Sequence, residues 1–248
     1  MGDPFRFTTI AHAGRALLGP LTLESVDDLL EAITPARSRP RVLDVGCGKG
    51  EILLRAMQRF GATGTGVEPN PVFAEAARQR ARELHLSEAL TLHETTFDHA
   101  QLEGAQFEVA ICTGAAHAFG EVPEALRALA RLVPRGGWAL FGCGYWQEKP
   151  EQEYLGAFGG SESELLLLGP TLALPAEHGW TVAAQHESDP YEWDDYEQGY
   201  AKGMRDWLAA HPSDPDAEAF RRRIESWNGA YERWGRETMG FVTMVLRR

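Results

Sequence analysis

The chain is short of cysteine, of lysine and of long apolar runs, and each shortage closes off a class of protein. Three cysteines in 248 residues are an odd number without metal-ligand spacing, so neither a disulfide framework nor a metal site is indicated. A reducing cytoplasm is the expected compartment. No apolar run approaches the ~20 residues that span a bilayer, and the first residues lack the basic, apolar and small-residue order of an export signal. No membrane partner is expected. Lysine occurs only three times, and the formal net charge is −12. Such a surface repels phosphate backbones, because nucleic-acid binding draws on lysine and arginine to displace counterions. The expected partner is therefore a small neutral or cationic molecule and no nucleic acid. The length fits one domain, as a monomer or a homodimer.

What the chain does have is a glycine-rich turn, Arg41-Val42-Leu43-Asp44-Val45-Gly46-Cys47-Gly48-Lys49-Gly50. An apolar run ends in alternating glycines and leads into an amphipathic segment, Ile52 to Phe60. That order predicts a buried strand, a tight turn and a helix. Glycines at 46 and 48 permit positive φ and let a ligand approach the backbone. Unpaired N–H groups at the next helix start would face the same ligand. A nucleotide-like molecule is implied. Thr63 to Val67 reads as a second strand, and Glu68 at its end is placed to accept hydrogen bonds from ribose hydroxyls. Asn70 as N-cap and Pro71 as first helical residue predict a helix to Leu84.

The alternation continues. Leu90 to Glu94 reads as a third strand and Phe107 to Cys112 as a fourth, apolar enough for burial on both faces. A helix from Val122 to Leu132 and a strand from Trp138 to Gly142 follow. Five strand–helix units predict a doubly wound α/β sheet. Before them, Thr22 is placed to cap a helix bearing Leu23, Val26, Leu29, Leu30 and Ile33. After them, Glu151 to Glu177 reads as helical, broken near Gly159-Gly160 and Gly169-Pro170. Trp180 to Ala184 and Phe241 to Leu246 are further strands. Between these two, Asp189-Pro190 and Asp214-Pro215 open two helices with aromatic stripes. One carries Trp193, Tyr196, Tyr200, Met204 and Trp207; the other carries Phe220, Ile224, Trp227, Tyr231 and Trp234.

The D-x-G-x-G-x-G spacing at Asp44 to Gly50, the acid Glu68 and the run Leu132-Val133-Pro134-Arg135-Gly136-Gly137 resemble the class I S-adenosylmethionine-dependent methyltransferases of the bacterial small-molecule type. The dinucleotide fingerprint differs, since its third glycine lies three residues after the second. The resemblance implies a Rossmann-like, mostly parallel sheet of about seven strands with helices on both faces, closed by an antiparallel pair. It divides the single domain into an N-terminal segment and helix (1–35), a cofactor core (36–186), a helical cap inserted before the last strand (187–238) and that strand (239–248). It implies S-adenosyl-L-methionine as cofactor and S-adenosyl-L-homocysteine as product. Asp44, Gly46, Cys47 and Gly48 would serve the methionine part, Glu68 the ribose, and Pro69 and Asn70 the adenine. Thr113 and Gly114 would lie near the sulfonium. At the third-strand loop the family's acid is replaced by Thr96, leaving Thr96 and Phe97 by position and Asp98 by chemistry. Thr113-Gly114-Ala115-Ala116 stands where base N-methyltransferases carry an Asn/Asp-Pro-Pro-aromatic motif, which counts against a nucleobase acceptor.

Methyl transfer needs the acceptor lone pair held in line and water excluded. A hydroxyl or protonated amine also needs a base. His117, one short loop past the fourth strand, and His12, on the segment that folds over the site in this family, are the candidates. Each has the alternative of a hydrogen-bonded structural histidine. Phe119, Tyr145, Trp146, Trp193 and Tyr196 are candidates for an aromatic box around a cationic amine or a flat ring. Glu187, Asp189, Glu192, Asp194, Asp195 and Glu197 form an acidic run, either a solvated helix start or an attractor of amines. The expected reaction is transfer of a methyl group to a small amine or hydroxyl acceptor. A non-catalytic S-adenosylmethionine-binding module and a nicotinamide-dependent oxidoreductase are the rivals.

Overall fold

The computed structural model describes residues 3–102, 104 and 106–248, the side chain of Phe158 apart. In chain order the elements begin α1 (Arg6–Ala11), α2 (Leu23–Glu31), β1 (Arg41–Val45), α3 (Glu51–Phe60), β2 (Thr63–Val67) and α4 (Pro71–Glu83). Then come β3 (Leu90–His93), β4 (Val109–Thr113), α5 (Val122–Leu132), β5 (Trp138–Trp146), α6 (Gln152–Phe158) and α7 (Leu168–Glu177). The chain ends with β6 (Thr181–Glu187), α8 (Pro190–Ala210), α9 (Ala217–Arg223) and β7 (Met239–Arg247). The seven strands form one sheet in the order β3-β2-β1-β4-β5-β7-β6. All pairs are parallel except those of β7, which runs antiparallel to both β5 and β6.

Apolar side chains account for the layers. Val42, Leu43 and Val45 of β1 are fully buried, as are Val109 to Cys112 of β4. One face packs on Leu29, Leu30, Leu53 and Met57 of α2 and α3; another cluster joins Leu126 and Leu129 of α5 to Trp180 and β7. The caps are where the sequence puts them. Thr22 and Ser25 form a reciprocal capping box on α2, Asn70 accepts the Val72 N–H on α4, and Asp189 with Glu192 caps α8. Successive crossovers carry β2 and β3 outward on one side of β1, then β4 and β5 outward on the other. The carboxyl ends of β1 and β4 therefore part at a switch point, the usual ligand crevice of such sheets.

Four local expectations are corrected. Strand β5 runs on to Trp146 because β7 pairs with it residue for residue, from Trp138↔Arg247 to Trp146↔Met239. Gly169-Pro170 does not break a helix but sits in the first turn of α7, where a proline lacks no needed N–H. Helix α9 starts at Ala217, because Asp214 is engaged by Arg6, the Trp207 indole and the Asp216 N–H. Beyond it the aromatic stripe continues on two widened π-helical turns, Ile224–Asn228 and Tyr231–Gly235. The N-terminal segment forms α1, which lies against α8. A Cβ added to Gly203 would come within 2.3 Å of the Ala11 carbonyl oxygen, so this close approach requires glycine.

Candidate functional site

The turn after β1 meets the loop after β4 so closely that a Cβ on Gly46 would lie 2.4 Å from the Ala115 Cβ. Gly46, Gly48 and Gly50 all have positive φ, at 71°, 54° and 78°, which an L side chain resists. The amides of the turn itself, ahead of the helix start, are taken up within the fold. Gly46 and Cys47 donate to the Val67 carbonyl at 2.8 and 3.2 Å, because the β1–β2 ladder runs past the strand end. Gly48 N–H donates to Glu68 Oε2 at 2.9 Å, and Asn70 N–H to Oε1 at 2.8 Å. Glu68 thus clamps both loops at the rim.

Asp44, Gly46, Cys47, Gly48, Thr113 and Gly114 line one narrow cavity, partly open to solvent, with Phe241 and residues between Ala16 and Leu21. Asp44 is 3 % exposed and accepts no hydrogen bond among the described residues. Burial, and then the nearby Glu68 carboxylate, push its carboxyl well above the ordinary range. Burial likewise raises Glu68, against the bonds from Asn70 and Gly48. Two neighbouring buried acids without a cation of their own, Asp44 lining the cleft and Glu68 behind the turn, are relieved by a ligand that brings positive charge. Asp44→Asn is therefore expected to act in opposite directions. It stabilises the ligand-free chain at pH 8 in urea titration, and it weakens a cationic ligand by tenfold or more, about 1.4 kcal/mol. A loss of both would contradict this.

The N-terminal segment closes over the cleft. Lys49 Nζ donates to the carbonyls of His12, Ala13 and Arg15 at 2.6, 3.1 and 2.8 Å, and Asn70 Nδ2 donates to Thr9 Oγ1 at 2.8 Å. This role of Lys49 went unread in the sequence, though a lysine amid three glycines was a visible signal. His12 is buried. Its Nδ1 lies 2.9 Å from the Thr8 carbonyl oxygen, which only accepts, so Nδ1 carries the proton. Nε2 has no partner among the described residues, within a ring cluster of Phe73, Tyr196 and Tyr200 at 6.2, 5.9 and 5.1 Å. Burial lowers the imidazole pKa to about 4, so it is neutral at pH 7 with a lone pair on Nε2. His117 is exposed on a single 3-10 turn after β4, and neither histidine is among the residues lining the cavity.

On the adenine side the structure separates the candidates. Thr96 pairs with His99 Nδ1 at 2.8 Å. Phe97 packs on Phe119, the ring centroids 4.4 Å apart and the planes tilted by 53°, and Phe97 and Asp98 line a different surface groove, with Gln101, Leu102 and Arg131. Pro69 is half-buried between Glu68 and Asn70, whose side chain is used on Thr9 and Val72.

The expected aromatic box is divided too, and this is a correction. The extension of β5 puts Tyr145 and Trp146 on opposite faces of the sheet. Tyr145 packs with Ala115, Phe141 and Cys143, and burial and the nearby Glu187 carboxylate raise the pKa of its phenol. Trp146 packs on Tyr154 and Leu155, its indole N–H donating to the Glu162 carbonyl at 2.9 Å. Phe119 remains with Phe97. Only Trp193 and Tyr196 come together, 6.3 Å apart, and they join Tyr231, Phe241 and Met239, which the sequence did not single out for this place. Phe241 lines the Asp44 cavity, so this cluster is continuous with the cleft. The acidic run is mostly structural. Glu192 accepts from Thr22, Ser25, His186 and Asp189, Asp194 from Tyr231 and Arg236, and Asp195 from Arg15.

Sheet order, glycine turn and terminal acid define a nucleoside-cofactor protein of the class I methyltransferase architecture. A family model described as a methyltransferase domain matches residues 19–155. A SAM-dependent methyltransferase from Geobacter sulfurreducens, solved with S-adenosyl-L-homocysteine, is 31 % identical with a TM-score of 0.90, covering 100 % of both chains. A second, from Thiobacillus denitrificans and also with S-adenosyl-L-homocysteine, is 29 % identical with a TM-score of 0.89 over 100 % of both. The uncharacterized protein YjhP of Escherichia coli is 30 % identical over 97 % of each chain. The chain belongs to the class I S-adenosylmethionine-dependent methyltransferases, and S-adenosyl-L-methionine is its cofactor. The buried, unpaired Asp44 fits a cofactor that bears an ammonium and a sulfonium, and Glu68 keeps lone pairs for hydroxyl donors.

Proposed function

We propose that the chain transfers a methyl group to a small amine or hydroxyl acceptor held beneath the helical cap. The observation that carries this is the aromatic cluster of Trp193, Tyr231 and Phe241, each no more than 7 % exposed, set directly against the cofactor cleft. A packed, ring-rich wall beside the cleft, reached through Phe241, offers a small or flat acceptor an apolar face and keeps water out. Bound S-adenosyl-L-methionine supplies the activated methyl carbon. In this reading Asp44 and the turn at Gly46 to Gly48 hold its amino-acid part, Glu68 its ribose and Pro69 its adenine, with Thr113 and Gly114 beside the methyl carbon. The net charge of −12 opposes a nucleic-acid acceptor, and the chain acts as a monomer or homodimer.

His12 is the better of the two histidine candidates, because its neutral Nε2 offers an unused lone pair inside the closed segment. It accepts a hydrogen bond from the acceptor and orients it. The test is release of S-adenosyl-L-homocysteine from a panel of amines, phenols and alcohols. One or more members should turn over, and His12→Gln should lower kcat at least tenfold with cofactor affinity kept. Cofactor binding with no turnover across the panel would favour the non-catalytic module.

A further inference from the structure

The cleft at the glycine turn leaves a free space of only about 60 Å³. That is room for a few waters, and it falls far below the roughly 300 Å³ at which ligand pockets begin. The floor is fixed by packing: Val42, Leu43 and Val45 of β1 are fully buried, and Gly46 is pressed against Ala115. The outer wall is different. It is the stretch from Ala16 to Leu21, which lies between α1 and α2 and belongs to neither helix nor strand. On its other side is an open groove of about 460 Å³, lined by Arg15, Leu23, Tyr191 and Asp195 among others. Ala16, Leu17 and Leu21 line both spaces, so this wall is one layer of residues thick.

Two cations pin the wall. Lys49, on the turn, spends its three ammonium protons on the His12, Ala13 and Arg15 carbonyls. Arg15 reaches the other way and donates to the carbonyl and the carboxylate of Asp195 on α8, both at 2.7 Å. Past Arg15 the hold is apolar: Leu17 packs in the core cluster, and Leu18 covers Gly48, where an added Cβ would come within 2.5 Å of it. The next polar anchors are the Pro20 carbonyl, which accepts from Ser188, and the Thr22 amide, which donates to Glu192. Gly14 and Gly19 stand at the ends of the stretch between. A Cβ on either would meet nothing within 4 Å, so neither glycine is demanded by packing, and both leave the backbone free to hinge. We propose that residues 14–19 form a gate, latched to the glycine turn by Lys49 and to the cap by Arg15, which swings outward for the cofactor to enter and leave. Opening joins the narrow cleft to the outer groove and brings the space into the range of an ordinary ligand pocket. The gate concerns the cofactor alone and is independent of which acceptor is methylated.

A latch that holds the wall and not the ligand acts on both directions of exchange alike, because opening precedes entry and exit. Association and dissociation of S-adenosyl-L-homocysteine are followed by stopped-flow tryptophan fluorescence on the full chain, with the dissociation constant taken from calorimetry. Lys49→Met keeps an unbranched stem and removes the three donors. It should raise both rate constants at least tenfold and leave the dissociation constant within threefold. Asp195→Ala, at a side chain 56 % exposed, loosens Arg15 on the cap side and should raise both at least threefold. Unchanged rates in Lys49→Met overturn the gate. A rise in dissociation alone, matched by lost affinity, overturns it too, since that would put Lys49 on the ligand. Unchanged rates in Asp195→Ala strike out the latch to the cap. If Lys49→Met does not fold, Asp195→Ala decides by itself. An unaltered chain that gives no heat with S-adenosyl-L-homocysteine loses the cofactor assignment and the gate together, whereas normal affinity with unaltered rates in the variants loses the gate only.

Discussion

Glu68→Ala is expected to raise the dissociation constant for S-adenosyl-L-homocysteine by about two orders of magnitude, near 2.7 kcal/mol. Two effects add. The carboxylate is the proposed acceptor for the ribose hydroxyls, and hydrogen bonds to a charged group contribute roughly 1.5–3 kcal/mol. It also holds the amides of Gly48 and Asn70 at 2.9 and 2.8 Å, so its removal frees both loops that shape the cleft. Glu68→Gln keeps acceptor geometry on one oxygen and should recover part of the loss. Calorimetry on the three proteins checks this, with circular dichroism to confirm the fold. An alanine variant that binds within threefold of the unaltered chain would refute the ribose assignment.

The second large effect concerns stability. Burial raises Glu197 from 4.5 to about 7, against the bond from Trp227. Its folded pKa thus lies above its unfolded one, and the folded chain binds more protons between those values. Stability from this group is therefore highest below 4.5 and falls as pH climbs through 7. The full difference corresponds to roughly 3 kcal/mol, at about 1.4 kcal/mol per pKa unit. Glu197→Gln cannot ionise and should escape the loss. In urea unfolding without ligand it should gain about 2–3 kcal/mol more at pH 8 than at pH 5. The difference between the two pH values is the readout, because a new buried amide donor shifts both alike. No difference would mean that Glu197 is solvated. His12 works in the opposite direction: burial lowers its pKa to about 4, so its contribution is lost as pH falls below 6.5, and it cancels between variant and parent.

The cofactor end of this molecule is legible in the sequence because its determinants are local. Positive φ at three alternating positions demands glycine, and an acid directly after a short strand lands at the rim wherever that strand pairs. The caps at Thr22, Asn70 and Asp189 are equally local. The acceptor end is not legible, because long-range pairing decides it. Whether Tyr145 and Trp146 leave the sheet or stay in it depends on Gly240 and Met239, about a hundred residues on. Phe241 reads as an ordinary strand residue until β7 inserts between β5 and β6. Helix α1 has no clear period to announce it, and its close seat on α8 at Gly203 is a long-range contact. Glu197 looks like its acidic neighbours, and only burial separates it from them. The stripe from Phe220 to Trp234 fits the ordinary helical period; the π-helical widening that aims Trp227 and Tyr231 leaves no mark in spacing alone.

The central claim is that the turn at Gly46 to Gly50, with Asp44 and Glu68, grips an adenosyl compound of sulfur and not a dinucleotide. Calorimetric titration of the unaltered chain with S-adenosyl-L-homocysteine and, separately, with NAD⁺ addresses it directly. Saturable heat at one equivalent per chain with the first, and none with the second, is the predicted result. Silence with S-adenosyl-L-homocysteine, or saturable binding of NAD⁺ in its place, would contradict it.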